Sequence, residues 1–233
     1  MCLKPYIFEE TGDFAIVFKP PCMHCVPLKQ KEGDTLFDWY AAVSPAIIDS
    51  GGLVHRLDFE TQGLVLFAKN RKTFDFFQSQ QKEGNFVKEY DALCAKAGVP
   101  AGGFPPPPEF SFDEPFIIQS FFRPFGPGRK QVRPVTAAGG KHGDLAKDRG
   151  SFYRTEILHV RDNSFTARIS RGFRHQIRCH LCWIGYPILN DPLYGAGQSG
   201  EGDFLALRSH ALFFTDPESG LRRECRITDC QAN

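Results

Sequence analysis

Polar and apolar positions change period several times along this chain, and each change predicts an element. Residues Tyr6–Glu10 and Phe14–Lys19 read as short strands around a turn at Thr11-Gly12-Asp13, and Lys19-Pro20-Pro21 breaks the second. Asp34 is the expected N-cap of a helix over residues 35–43. Gly51-Gly52 then opens an irregular, glycine-hinged loop that contains His55-Arg56-Leu57-Asp58. The apolar run over 63–69 predicts a buried strand. A helix follows over about 71–81, with Phe74 and Phe77 on its inner face. Residues 86–94 alternate as a strand does, with Val87 and Tyr90 flanking the charged Lys88 and Glu89.

The second half is less regular. Residues 98–110 are of low complexity and hold four consecutive prolines, Pro105 to Pro108, which predicts a stiff polyproline II connection on the surface. Residues 121–135 read on as a Pro-, Gly- and Arg-rich loop. Strands return over 152–160 and 165–170, joined by a turn at Asp162-Asn163. A helix over about 175–184 stops at Gly185, a tight turn covers 191–195, and two or three strands occupy 204–227. No regular βαβ rhythm emerges. The pattern predicts an α+β fold with a mixed, largely antiparallel central sheet flanked by helices and loops.

Composition adds two constraints. The chain has 233 residues and is 42% hydrophobic, enough to form a substantial core, and its 23 Phe against 2 Met make Phe the expected filling. The formal net charge of +1 does not mark a nucleic-acid binder, but gripping phosphates takes local charge and not a high total. No apolar run resembles a signal peptide or approaches the roughly 20 residues of a membrane span. The expected compartment is the cytoplasm, where the eight Cys would stay reduced.

Three segments carry chemistry. In His55-Arg56-Leu57-Asp58, a carboxylate sits on a loop just before a rigid strand; the residues alone leave Asp58 open as a nucleophile, a base, a metal ligand or a plain turn cap. Between Arg171 and Leu181, three Arg and two His gather at a helix start. On that helix Ile177, Leu181 and Ile184 form one apolar stripe, and His175, Arg178 and Cys182 lie on another, which aims Arg178 away from the core stripe. A helix N-terminus with added Arg suits a phosphate or a carboxylate. In Lys88-Glu89-Tyr90-Asp91, Tyr90 on its own reads as a core tyrosine.

Taken together, these segments resemble the RluA-type pseudouridine synthase family. His55-Arg56-Leu57-Asp58 with Glu60-Thr61-Gln62-Gly63-Leu64-Val65-Leu66-Phe67-Ala68-Lys69 is similar to its central signature, and Lys88-x-Tyr90-x-Ala92 to its second motif. His175-Gln176-Ile177-Arg178-x-His180-Leu181, Gly185-Tyr186-Pro187-Ile188 and Asp191-Pro192-Leu193-Tyr194-Gly195 resemble its third, and residues 14–21 its opening strand ending in Lys-Pro. The likeness covers about residues 6–215 in order. It departs at Phe173, where the family usually has Arg, with Arg174 beside it.

The resemblance implies a single catalytic domain over residues 1–233, with no separate N-terminal RNA-binding domain, and no cofactor. Asp58 is then the catalytic carboxylate, Arg178 its ionic partner and Tyr90 the group against the uracil. Arg56 would fill the gap left by an extruded base, and Leu181 would pack near that base, with His55, His175 and Gln176 nearby. Arg123, Arg129, Lys130, Arg133, Arg171 and Arg174 are the expected phosphate contacts. The implied partner is a ribosomal or transfer RNA, read as a folded stem-loop by a monomer. Three competing readings remain, of which the weakest is a metal-dependent nuclease using His55 and Asp58, short of a second acidic cluster at useful spacing. Cys22-Met23-His24-Cys25 and Cys179-His180-Leu181-Cys182 have the spacing of a zinc site, and the basic loops alone would suit a non-catalytic RNA-binding module.

Overall fold

The computed structural model describes residues 3–27, 34–44, 52–98, 102–136, 152–195 and 204–228. They divide into two compact units, one formed by 1–88 with 208–233 and the other by 89–207.

In the first unit, β1 (Tyr6–Glu10) and β2 (Phe14–Lys19) pair antiparallel around the expected turn, which Thr11 closes by accepting the Phe14 N–H and donating to the Phe14 carbonyl. β2 pairs with β3 (Gln62–Ala68), and β3 meets β9 (Leu207–Thr215) in parallel at Gly63 and Ser209. Gly63 has φ +125°, and a Cβ there would collide with the Ser209 backbone, so only glycine lets the two strands approach. β10 (Arg222–Arg226) pairs antiparallel with β9. Every residue of β2 is buried, as a strand covered on both faces requires.

Helix α1 (Leu36–Val43) is capped by Thr35 rather than by Asp34. Thr35 and Asp38 form a reciprocal capping box, and Asp34 instead takes a left-handed conformation with φ +50°. Helix α2 (Arg71–Glu83) begins at Asn70 and ends at a left-handed Gly84. Its Phe77 enters a core with Phe14, Phe86 and Phe214, whose rings meet mostly edge to face at 5.5–6.0 Å. The expected aromatic filling is borne out here.

In the second unit the strand order is β4 (Val87–Leu93), β8 (Ser164–Ile169), β7 (Tyr153–Arg161), β5 (Phe116–Phe125), β6 (Gln131–Val135). The β7–β8 turn at Asp162-Asn163 has φ +49° and +65°, the two-residue geometry that matches strand twist. With few helices and mostly antiparallel pairs, the fold is α+β as the patterning predicts.

Two expectations change here. Residues 121–135 form a hairpin and not a loop, because Pro124 and Pro134 fit within β5 and β6. The part of β5 that holds Pro124 pairs only with β6, the last strand in the order, so missing N–H groups cost little. The proline-rich stretch is more than a surface spacer. Phe104 packs against the core of this unit, Trp183 Nε1 donates to the Pro105 carbonyl at 2.9 Å, and Arg123 donates to the Gly103 carbonyl.

Candidate active site

The Asp58 loop runs back along β3 before it turns. Gly52 O accepts from Ala68 N–H and Leu66 O accepts from Val54 N–H, while Gln81 of α2 donates to Val54 O at 2.8 Å. Gly52 must be glycine, since a Cβ at its φ of +60° would meet the Ala68 carbonyl. Beyond Val54 the chain alternates: Leu57 is buried, Arg56 exposed, Asp58 partly exposed and Phe59 39% exposed. Thr61 N–H then closes a turn onto Asp58 O at 3.2 Å.

Two buried polar side chains flank this turn. Lys19 is wholly buried at the end of β2, and its ammonium donates to the carbonyls of Pro20, Met23 and Phe59 at 2.9, 2.8 and 3.1 Å. Burial pulls its pKa down to about 8, and the neighbouring Cys25, Asp58, Cys22 and Glu60 oppose that fall. His55 is buried beside the Phe86 ring, and its Nε2 accepts from Leu66 N–H, which leaves the proton on Nδ1. Burial and then Lys88 hold its pKa well below the ordinary histidine value, so it is a neutral ring. Lys88 and Glu89, expected only as charges in an alternating strand, are both buried. Burial draws Lys88 down to about 8, and Glu89 pairs with Arg168.

In the second unit, Tyr90 is buried on β4. Arg178 lies on α3 (Gln176–Trp183) and is fully enclosed, and so is every other residue of that helix. This overturns the two-stripe reading, in which Arg178 faced away from the core. The reason is a partner thirteen residues on. Asp191 grips Arg178 Nε and Nη2 with both oxygens at 2.7 Å, and the same carboxylate accepts the N–H groups of Leu193 and Tyr194. A buried arginine is tolerated when its charge is paired and its donors are met. His180, also enclosed, is bonded at both ring nitrogens, to Ser120 and Thr155, and burial holds it near pKa 3.

The expected phosphate ligands separate into two groups. Arg129 and Lys130 are exposed at the β5–β6 turn, and Arg174 docks there, donating to the carbonyls of Arg129 and Gln131. Arg171 is exposed over the Tyr153 ring, and Arg123 over the Phe125 ring is half-buried. Arg133 differs. It is 5% exposed, with its guanidinium 4.2 Å from the Phe104 ring and 4.1 Å from the Phe125 ring, and it fastens the proline-rich stretch to the hairpin. That stacking removes it from the exposed basic set. Gln176 and Leu181 are buried, and His175 lies against Tyr194 in a left-handed conformation.

The sequence assigns no chemical role to Lys19 or Asp191, and Cys25 enters it only as part of a possible zinc pair. Lys19 had a visible signal, a lysine closing an otherwise apolar strand. Among the described residues, no group of three or more His, Cys, Asp or Glu stands together as metal ligands. Cys179 donates to the Val132 carbonyl, and burial pushes its thiol well above the usual range.

A family profile described as RNA pseudouridylate synthase matches residues 13–183, and the chain belongs to that family. Among curated relatives, ribosomal large subunit pseudouridine synthase D of Buchnera aphidicola is 26% identical over 80% of this chain and 53% of its own. RNA pseudouridine synthase 7 of Arabidopsis thaliana is 29% identical over 81% of this chain and 44% of its own. The chain thus spans about half the length of these relatives. Two solved human structures share the fold. RNA pseudouridylate synthase domain containing 1 has a TM-score of 0.68 at 18% identity, covering 97% of this chain and 84% of that one. RNA pseudouridylate synthase domain containing 4 has 0.65 at 17%, covering 97% and 90%.

Proposed function

We propose that this protein is a pseudouridine synthase that isomerises uridine in RNA, with Asp58 as its catalytic carboxylate. One observation carries the reading: within the family match, Asp58 of the family's central signature is partly exposed on a turn backed by β3, and the Lys19 ammonium donates to the Phe59 carbonyl beside it. The reaction breaks the bond from ribose C1′ to uracil N1 and forms one to C5. A proton leaves C5 and another is taken up at N1, so atoms and electrons balance with no cofactor. Asp58 acts at the ribose, by attack on C1′ or by removal of a neighbouring proton, and either role needs it ionised.

The reading assigns Tyr90 and Arg178 of the second unit to the same reaction, as the order of the family motifs implies, within one catalytic domain. Tyr90 lies against the uracil and removes or relays the C5 proton. Arg178, its plane set by Asp191 on the Nε and Nη2 edge, supplies positive charge that keeps a carboxylate ionised. Exposed Arg56 stacks where the target base has left the helix. Arg129, Lys130, Arg171 and Arg174, with Arg123, contact phosphates. The substrate is a ribosomal or transfer RNA stem-loop; the Buchnera relative's name points to the large ribosomal subunit.

Replacing Asp58 with Asn tests this. Pseudouridine formation in total RNA from cells lacking the protein should be lost, with RNA binding kept within a few-fold. An Asp58→Asn protein that still makes pseudouridine would overturn the assignment.

A further inference from the structure

The segment after β2 touches the Asp58 turn on both sides of the carboxylate. Cys25 Sγ accepts from Leu57 N–H at 3.3 Å and donates to Leu57 O at 3.4 Å. On the other side of Asp58, the His24 ring lies 4.5 Å from the Phe59 ring. The segment is itself anchored. The first helical amides of α1, which have no partner within a helix, donate to it: Leu36 N–H to His24 O at 2.9 Å and Phe37 N–H to Cys25 O at 3.1 Å.

We propose that Cys25 is a positioning residue for Asp58, its thiol holding both backbone polar groups of Leu57 while the His24 ring steadies Phe59. The inference rests on Asp58 being the catalytic carboxylate. Leu57 is buried, and a buried peptide group needs partners for its N–H and its C=O. No strand supplies them at this point; a single sulfur does, because a thiol is at once a weak donor and a weak acceptor. Burial raises the Cys25 thiol, which keeps the proton it donates to Leu57 O. The tether acts one peptide away from Asp58, and displacement of a catalytic group by about 1 Å costs on the order of a hundredfold in rate.

Cys25→Val keeps the site filled with an apolar side chain and removes both hydrogen bonds. Its expected signature is a single-turnover rate about tenfold lower on total RNA from cells lacking the protein, with affinity for that RNA within twofold. Amide exchange over residues 56–60 should rise about tenfold. Cys25→Ser restores both functions of the sulfur and should recover most of the rate and the protection. His24→Ala should lower the rate about threefold. A Cys25→Val protein with wild-type rate and exchange overturns the proposal. If neither Cys25→Val nor Cys25→Ala folds while Cys25→Ser does, Cys25 is a folding residue and the proposal is equally overturned. The Asp58→Asn arm separates the two readings. Full activity there sinks the functional assignment, whereas an inactive Asp58→Asn beside an unimpaired Cys25→Val sinks the positioning role alone.

Discussion

The Asp58 turn and helix α3 both carry groups assigned to the reaction, and they are held by opposite means. The turn is a thin segment with Arg56 and Phe59 exposed, and it owes its place to a few hydrogen bonds with Lys19, Cys25, Gln81 and the edge of β3. Helix α3 is enclosed along its whole length and locked by the Arg178–Asp191 fork. A turn held at a few points can adjust to an incoming nucleotide. An enclosed helix cannot move without unpacking its surroundings, which suits the fixed charge proposed for Arg178.

The largest expected effect falls on the turn. Asp58→Asn should remove activity by at least about a thousandfold while the thermal midpoint stays within a few degrees, because a partly exposed side chain contributes little to packing. The helix should show the reverse. Asp191→Ala removes the carboxylate that grips both Nε and Nη2 of the enclosed Arg178 and should destabilise the fold by about 3–5 kcal/mol, read from urea unfolding. An Asp191→Ala protein of wild-type stability would break the comparison.

Acid should also act through buried groups. His180, held near pKa 3, has a folded pKa below its unfolded one, so between about pH 3 and 6.5 the unfolded chain binds more protons and stability falls as pH falls, with a slope of about 1.4 kcal/mol per pH unit. His55, held well below the ordinary histidine value by burial and then Lys88, acts with the same sign. Urea midpoints measured from pH 7 to pH 4 check the sign, and a flat profile would contradict it. Lys19 and Lys88, drawn down to about 8, give the same sign at the alkaline end, where stability should rise from about pH 8 to pH 10.

The smallest effect sharpens the division among the arginines. Arg129→Ala with Lys130→Ala should leave stability unchanged and reduce the slope of log affinity against log salt by about two. Arg133→Ala should do the opposite, costing stability through the lost Phe104 and Phe125 stacking with little change in salt slope. Equal salt slopes for both variants would show that the exposed and enclosed cations do not differ as proposed.

The sequence alone carried the strands β1 to β4, helix α2, the Asp162-Asn163 turn and the family motifs, because period and turn chemistry are local. It also marked Asp58, since a charged residue on a loop between apolar runs stands out. What it could not carry is whatever depends on partners far along the chain. The hairpin over 116–135 was hidden because its prolines lie where only one neighbour pairs. The enclosure of Arg178 followed from Asp191, and the burial of Lys19 from carbonyls as distant as Phe59. Periodicity records which face of an element is apolar. It does not record that a charge has found its counterpart elsewhere, and that pairing, made only in three dimensions, decides which cations are structural and which are left at the surface.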